Sequence, residues 1–156
     1  MEEESCHIRV MTAEDLDHIV ALEQGLQSHP WRRSHFENCL AIGNLALVVE
    51  WVDGEPRQAR VIAFAVVSLG GGEAELLNIG VDPAYQGRGI ASRFLGEILQ
   101  TIKTQVDTIF LEVRVSNRRA IDLYEKLGFN QVGIRPNYYN TATGREDARL
   151  YALALI

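Results

Sequence analysis

The order of short apolar runs predicts an α/β protein built on a mixed sheet. Three observations carry that prediction. Strand-type and helix-type runs follow one another as β-α-α-β-β-β-α-β-α-β-β. Residues 75–102 read as a strand, a glycine-bearing loop and a helix. The chain has 156 residues, 47% apolar and 23% charged, which suits a single packed domain of ordinary globular composition.

Residues 7–11 read as the first strand. Thr12 followed by Asp15 is close to a capping box, with Asp in place of Glu or Gln, and Ile19, Leu22, Glu23 and Leu26 then keep helical spacing. Pro30 breaks the pattern, and residues 34–40 read as a second short helix. Residues 45–52 and 60–69 are strand-like, joined by the polar turn segment 53–56. The longest apolar run, 61–67, is far too short to span a bilayer, so no membrane partner is expected. Gly70, Gly71 and Gly72 punctuate the chain before the strand 75–81. The next helix starts at Ile90 and runs to about Thr104. A strand over 108–115, a helix over 118–127 and strands over 130–134 and 148–154 complete the order. Residues 135–147 read as a polar loop. No composition shift or internal repeat marks a second domain, so residues 1–156 are expected to form one.

Charge and special residues narrow the function. A formal charge of −6 argues against nucleic-acid binding, which goes with a basic surface, and suits attraction of a basic peptide. Cys6 and Cys39 form no CxxC pair and no disulfide framework, as in a reduced, cytoplasmic protein. Glu2, Glu3 and Glu4 stand where a basic leader region would be, so a signal peptide is not expected. His7, His18, His29 and His35 have no zinc-ligand spacing, and no metal is expected. There is no nucleophile elbow of the G-x-S-x-G type. Trp31 and Trp51 read as packing aromatics.

The chemistry is expected at the loop Gln86-Gly87-Arg88-Gly89-Ile90-Ala91-Ser92. A strand, a tight glycine loop and a helix start leave backbone N–H groups unpartnered at the positive end of a helix dipole, which binds phosphate or pyrophosphate. A Walker loop needs Gly-Lys-Ser/Thr, and Gly-Ile-Ala stands here. A dinucleotide fingerprint needs an acidic residue ending the next strand, and Asp107 precedes that strand instead. The third pattern, Gln/Arg-x-x-Gly-x-Gly/Ala, is met by Gln86, Gly89 and Ala91. A plain strand–helix connection without a ligand is the competing reading of the loop alone.

Three further stretches carry a resemblance. They are Leu-Glu-Val-Arg-x-Ser-Asn from Leu111, Ala-Ile-x-Leu-Tyr-x-x-Leu-Gly-Phe from Ala120, and Asn-Tyr-Tyr-x-x-x-x-Gly-Arg-Glu-Asp-Ala from Asn137. With the glycine loop, they make the chain resemble the RimI-type ribosomal-protein alanine N-acetyltransferases of the GNAT superfamily. The resemblance covers nearly the whole chain and is densest over 78–153; His29-Pro30-Trp31 matches a family substrate-loop segment more loosely. The loop departs from the common Gln-Arg-x-Gly-x-Gly at Gly87 and Ala91, both permitted by the looser pattern. The connections at 53–58 and 70–72 look lengthened.

The resemblance implies a mixed, mostly antiparallel sheet of six to seven strands with about four helices. It implies transfer of acetyl from acetyl-CoA to the N-terminal alanine of a small-subunit ribosomal protein. The backbone of Ile79, Gly80 and Val81 would hold the pantetheine arm and stabilise the oxyanion. The loop Gly87, Arg88, Gly89, Ile90, Ala91 and Ser92 would hold the pyrophosphate, with Asn117 hydrogen-bonded to the coenzyme. Gly80 in an apolar strand also fits a bulge or a close ligand approach. Glu112 is the implied proton acceptor, although alternation alone reads it as a solvent-facing Glu beside Arg114. Glu75 is the rival base. Tyr124 is the implied acid, with core packing the plain reading of its helical stripe. Asn117 is also the expected N-cap of that helix. Tyr138 and Tyr139 are expected to hold the acceptor peptide, and Glu146 and Asp147 to meet its basic side chains. A small-molecule amine acetyltransferase would share the cofactor loop but lack the Asn-Tyr-Tyr to Glu-Asp segment. A non-catalytic coenzyme-binding module would lose Glu112 and Tyr124.

Overall fold

A computed structural model describes residues 5–54 and 58–155. Seven strands form one mixed, mostly antiparallel sheet: β1 (Ser5–Val10), β2 (Leu45–Asp53), β3 (Gln58–Gly70), β4 (Glu73–Val81), β5 (Thr108–Arg114), β6 (Asn130–Thr141) and β7 (Gly144–Ala154), in the order β1-β2-β3-β4-β5-β7-β6. Four helices accompany them: α1 (Leu16–Leu26), α2 (Arg33–Ala41), α3 (Ile90–Ile102) and α4 (Arg118–Lys126). The chain divides into two compact units, Met1–Val67 with Asn78–Phe94, and Ser68–Leu77 with Leu95–Ile156. No helix among the described residues is long and apolar enough to cross a membrane.

In the first unit β1 and β2 pair antiparallel, as do β2 and β3, with an irregularity at Val49/Glu50. All seven residues of Val61–Val67 are buried. This strand is covered on both faces and therefore reads as a continuous apolar run instead of an alternating one. Thr12 caps a short 3-10 turn (Ala13–Asp15) that runs directly into α1, so the α-helix starts one turn later than the capping pattern predicts. The Asp15 carboxylate accepts from the Thr12 backbone N–H at 2.8 Å and from both Nη atoms of Arg9 at 2.8 and 2.7 Å. That bidentate hydrogen bonding holds Asp15 below the usual carboxylate range, against the opposing effect of burial.

Glu23 is 0% exposed, an unusual place for a carboxylate. It accepts from the Gln27 side chain at 3.0 and 2.9 Å, the Asn78 side chain at 3.0 Å and the Trp31 backbone N–H at 2.9 Å. Helix α1, the 27–32 connection and β4 thus meet on one carboxylate. Trp31 stacks on His35 with ring centroids 4.0 Å apart, and Phe36 meets Phe64 edge-on at 5.8 Å. The polar turn expected over 53–56 falls partly on residues 55–57, outside the described residues, as do Glu2, Glu3 and Glu4.

In the second unit β4 pairs parallel with β5 from Glu73↔Thr108 to Leu76↔Leu111, and β5 pairs antiparallel with β7 along its length. Gly71 and Gly72, at φ +61° and +79°, form the tight turn that the glycine triplet predicts as punctuation. The part of helix α3 in this unit buries Leu95, Ile98, Leu99 and Ile102, one stripe of helical spacing. The polar loop predicted over 135–147 is not a loop. β6 and β7 extend through it as a hairpin, with Tyr139 opposite Glu146 and Thr141 opposite Gly144. The ladder is irregular between Arg135 and Tyr139, where Asn137 takes φ +53°.

Candidate active site

The glycine loop lies in the first unit and is set up by its neighbours. Asp82 caps the turn Pro83–Tyr85 by accepting from the Ala84 N–H at 2.9 Å, and Gln86 donates to the Val81 carbonyl at 2.9 Å. Gly87 and Gly89 then take φ +81° and +77°, which L side chains rarely adopt. No atom lies within 4 Å of where a Cβ would stand at either position. The glycines therefore serve backbone conformation and leave open space before the amides. Helix α3 begins at Ile90, and the Arg93 N–H bonds to the Gly89 carbonyl at 3.1 Å. The amides just before that bond are the ones a helix leaves without internal partners. This arrangement fits a pyrophosphate. The Arg88 guanidinium lies 5.0 Å from the Tyr85 ring and 5.5 Å from the buried Trp51 ring.

Ile79 and Gly80 are half-buried and Val81 is buried. Gly80 has a packing reason as well. A Cβ there would stand 2.7 Å from Leu26 Cδ1 and 2.8 Å from Phe64 Cζ. This crowding by Leu26 and Phe64 leaves room only for glycine.

The second unit gathers the polar candidates. Ile109, Leu111 and Val113 are buried on one face of β5, and Phe110, Glu112 and Arg114 alternate onto the other. Glu112 Oε1 lies 3.0 Å from Arg135 Nε. Arg135 also lies over Tyr138 at 5.5 Å, and Arg114 over Tyr139 at 4.3 Å. The two tyrosine rings meet edge-on, 5.0 Å apart. Burial first and the Glu112 charge second push the Tyr139 phenol up to about 12. Glu112 is the main cause of an upward shift at Tyr138. Glu75 is raised by burial and then by Glu112, with Arg135 opposing.

Tyr124 sits on α4, whose N-cap is Asn117 as its position predicts. The Asn117 side-chain oxygen accepts from the Ala120 N–H at 3.2 Å. Tyr124 is 6% exposed, with its ring 5.8 Å from Phe129. The Leu-Tyr-x-x-Leu-Gly-Phe run has a mechanical reading. Gly128, at φ +99°, ends the helix and lets the Phe129 N–H return to the Tyr124 carbonyl at 3.0 Å. Burial, aided by Tyr139, holds the Tyr124 phenol well above the usual range.

Glu146 and Asp147 are engaged by the chain itself. Ser116 Oγ donates to Glu146 Oε1 at 2.7 Å, and the Asn137 N–H donates to Asp147 Oδ1 at 2.9 Å. The first contact ties the hairpin to the turn before α4, and the second secures the irregular part of β6. No local sequence pattern marks Arg135 or Ser116 as a site residue. Their partners depend on strand register, which no local pattern reveals. No group of three or more His, Cys, Asp or Glu side chains among the described residues is placed to hold a metal ion.

The sequence pattern of the acetyltransferase (GNAT) family matches residues 12–129. The chain belongs to the GNAT family. Like its family, this GNAT protein is an acetyl-CoA-dependent N-acetyltransferase. A ribosomal protein bS18-alanine N-acetyltransferase of Salmonella typhimurium is 39% identical over 95% of this chain and 97% of its own. The Escherichia coli protein of the same name is 38% identical over 90% of this chain and 92% of its own. The crystal structure of an Escherichia coli ribosomal-protein alanine N-acetyltransferase superposes with a TM-score of 0.86, at 36% identity, covering 97% of this GNAT chain and 94% of that one.

Proposed function

We infer that this protein acetylates the N-terminal alanine α-amine of a small-subunit ribosomal protein, with acetyl-CoA as donor, and that residues 1–156 act as one acetyltransferase domain. The observation that carries this reading is end-to-end similarity to N-acetyltransferases named for that acceptor, at 39% identity over 95% of the chain. The Asn-Tyr-Tyr to Glu-Asp-Ala segment favours a peptide acceptor over a small-molecule amine. The protein is read as cytoplasmic and as acting without direct nucleic-acid contact, in keeping with two cysteines that form no disulfide with each other and with its charge of −6.

Acetyl-CoA supplies an activated thioester. Open amides at Gly87–Ser92 bind its pyrophosphate, with Arg88 steadied by Tyr85 and Trp51. The backbone of Ile79, Gly80 and Val81 and the cap residue Asn117 are assigned to the rest of the coenzyme. Glu112 accepts the acceptor's proton, directly or through water. An α-ammonium with a pKa near 8 is about 3 kcal/mol easier to neutralise than a lysine near 10.4. Tyr124 is protonated throughout the neutral range, as a donor must be. Tyr124 would donate its phenolic proton to the departing coenzyme thiolate and regain one from solvent, while the proton that Glu112 takes from the amine passes to solvent. Tyr138 and Tyr139 present aromatic faces and hydroxyls to the peptide. Glu146 and Asp147 act on it through the hairpin they fasten.

The test is acetyl transfer from acetyl-CoA to a synthetic peptide with a free N-terminal alanine. An N-terminally blocked copy and a peptide whose only amine is lysine serve as controls. Transfer to the free α-amine alone is expected. Transfer to small amines but to no peptide would replace this reading with the small-molecule one.

A further inference from the structure

Glu75, Glu112 and Arg135 share one sheet face, and strand register alone places them there. Glu75 is opposite Phe110 in the parallel ladder, and Phe110 and Glu112 lie on the same side of β5. Arg114 is opposite Ala148, which is opposite Arg135. Arg135 thus stands two strands from Glu112, yet its Nε comes within 3.0 Å of the carboxylate. Its β7 partner is Ala148, which offers only a buried methyl, whereas Leu150 stands between Glu112 and Gly133. The pair remains open to solvent, with Arg135 55% exposed and Glu112 20% exposed. Arg135 also lies at the start of the irregular stretch of β6, where the regular ladder does not fix it from both sides.

We propose that Arg135 is a specificity-determining residue whose guanidinium holds the place on Glu112 that the acceptor's ammonium takes, leaving the group Glu75, Glu112 and Arg135 with one net negative charge. The proposal rests on Glu112 as the proton acceptor. Two carboxylates and one guanidinium carry one net negative charge, which a single α-ammonium neutralises. Arg114, the other cation on this face, is directed to the Tyr139 ring and donates to the Asn140 carbonyl at 3.1 Å. A guanidinium suits the task because it stays protonated and cannot itself serve as the acetyl acceptor. Removing it leaves two negative charges, which select for a dication.

Full-length R135Q and R135K are compared with the wild type at saturating acetyl-CoA. One acceptor is an N-terminal alanine peptide with otherwise uncharged side chains, and the other is 1,4-diaminobutane. R135Q is expected to lower KM for the peptide by about fivefold, the factor that an accessible ion pair is worth at most. It is expected to raise the diamine-to-peptide ratio of kcat/KM by a similar factor, and R135K to restore that ratio. A raised peptide KM or an unchanged ratio in R135Q overturns the proposal, because a residue that only supports the hairpin does not sort acceptors by charge. E112Q tests the underlying reading separately: full peptide turnover there refutes Glu112 as the proton acceptor, whatever the acceptor ratio shows.

Discussion

At the residue scale, the proposed proton acceptor Glu112 and the proposed acid Tyr124 stand in different surroundings. Glu112 is accessible and ion-paired; Tyr124 is buried on a capped helix. E112Q should lower kcat by about 10²-fold or more, the usual worth of a general base. Y124F should lower kcat with acetyl-CoA affinity nearly unchanged. Steady-state kinetics with calorimetric acetyl-CoA binding checks both, and wild-type turnover in both variants would refute the assignments. Asp15 makes a different prediction, about stability. Its folded pKa lies below its unfolded value near 3.9, so its contribution is complete above about pH 4 and is lost as pH falls through the folded pKa. D15N should therefore be less stable than the wild type at pH 7, by about 2 kcal/mol for a hydrogen-bonded charged group. The difference should close in strong acid, as thermal melts at several pH values would report.

At the scale of elements, the glycine loop is defined by backbone shape, on which its proposed hold on the coenzyme depends. Gly89→Ala introduces no clash, since the space beside it is empty, but an L residue at φ +77° costs about 1–2 kcal/mol. The loop should relax out of that shape, and acetyl-CoA should bind about tenfold more weakly. Unchanged affinity in a calorimetric titration would show that the coenzyme does not depend on this turn. The loop and α4 were legible in sequence because their signals are local: a Gly-x-Gly start for α3, and an Asn117 cap with a Gly128 stop for α4. The β6–β7 hairpin was not legible. β6 is an edge strand, exposed along most of its length, so no apolar alternation distinguishes it from a polar loop. Pro136, a usual mark of a turn, is tolerated on such an edge. For the same reason the partners of Glu146 and Asp147, Ser116 before α4 and Asn137 in β6, could not be read from sequence.

At the scale of the whole molecule, the charge of −6 bears on encounter with the acceptor more than on chemistry. For a peptide carrying several basic side chains, kcat/KM should fall by about threefold or more as salt rises from about 0.02 to about 0.3 M. An uncharged peptide of the same length should show little change. Equal salt dependence for the two would remove steering from the account. The strand and helix order could be read from sequence because each central element is buried and therefore patterned. The pairing of Arg135 with Glu112 could not, because it is a product of register across three strands. Glu23 has a consequence for folding itself. Its carboxylate is satisfied only when Gln27, Trp31 and Asn78 arrive together. A chain that collapsed with the 27–32 connection misplaced would strand a bare negative charge in an apolar interior, at a cost of several kcal/mol. One side chain thus acts as a proofreading step for the fold, making near-miss packings of this connection energetically distinct from the native one.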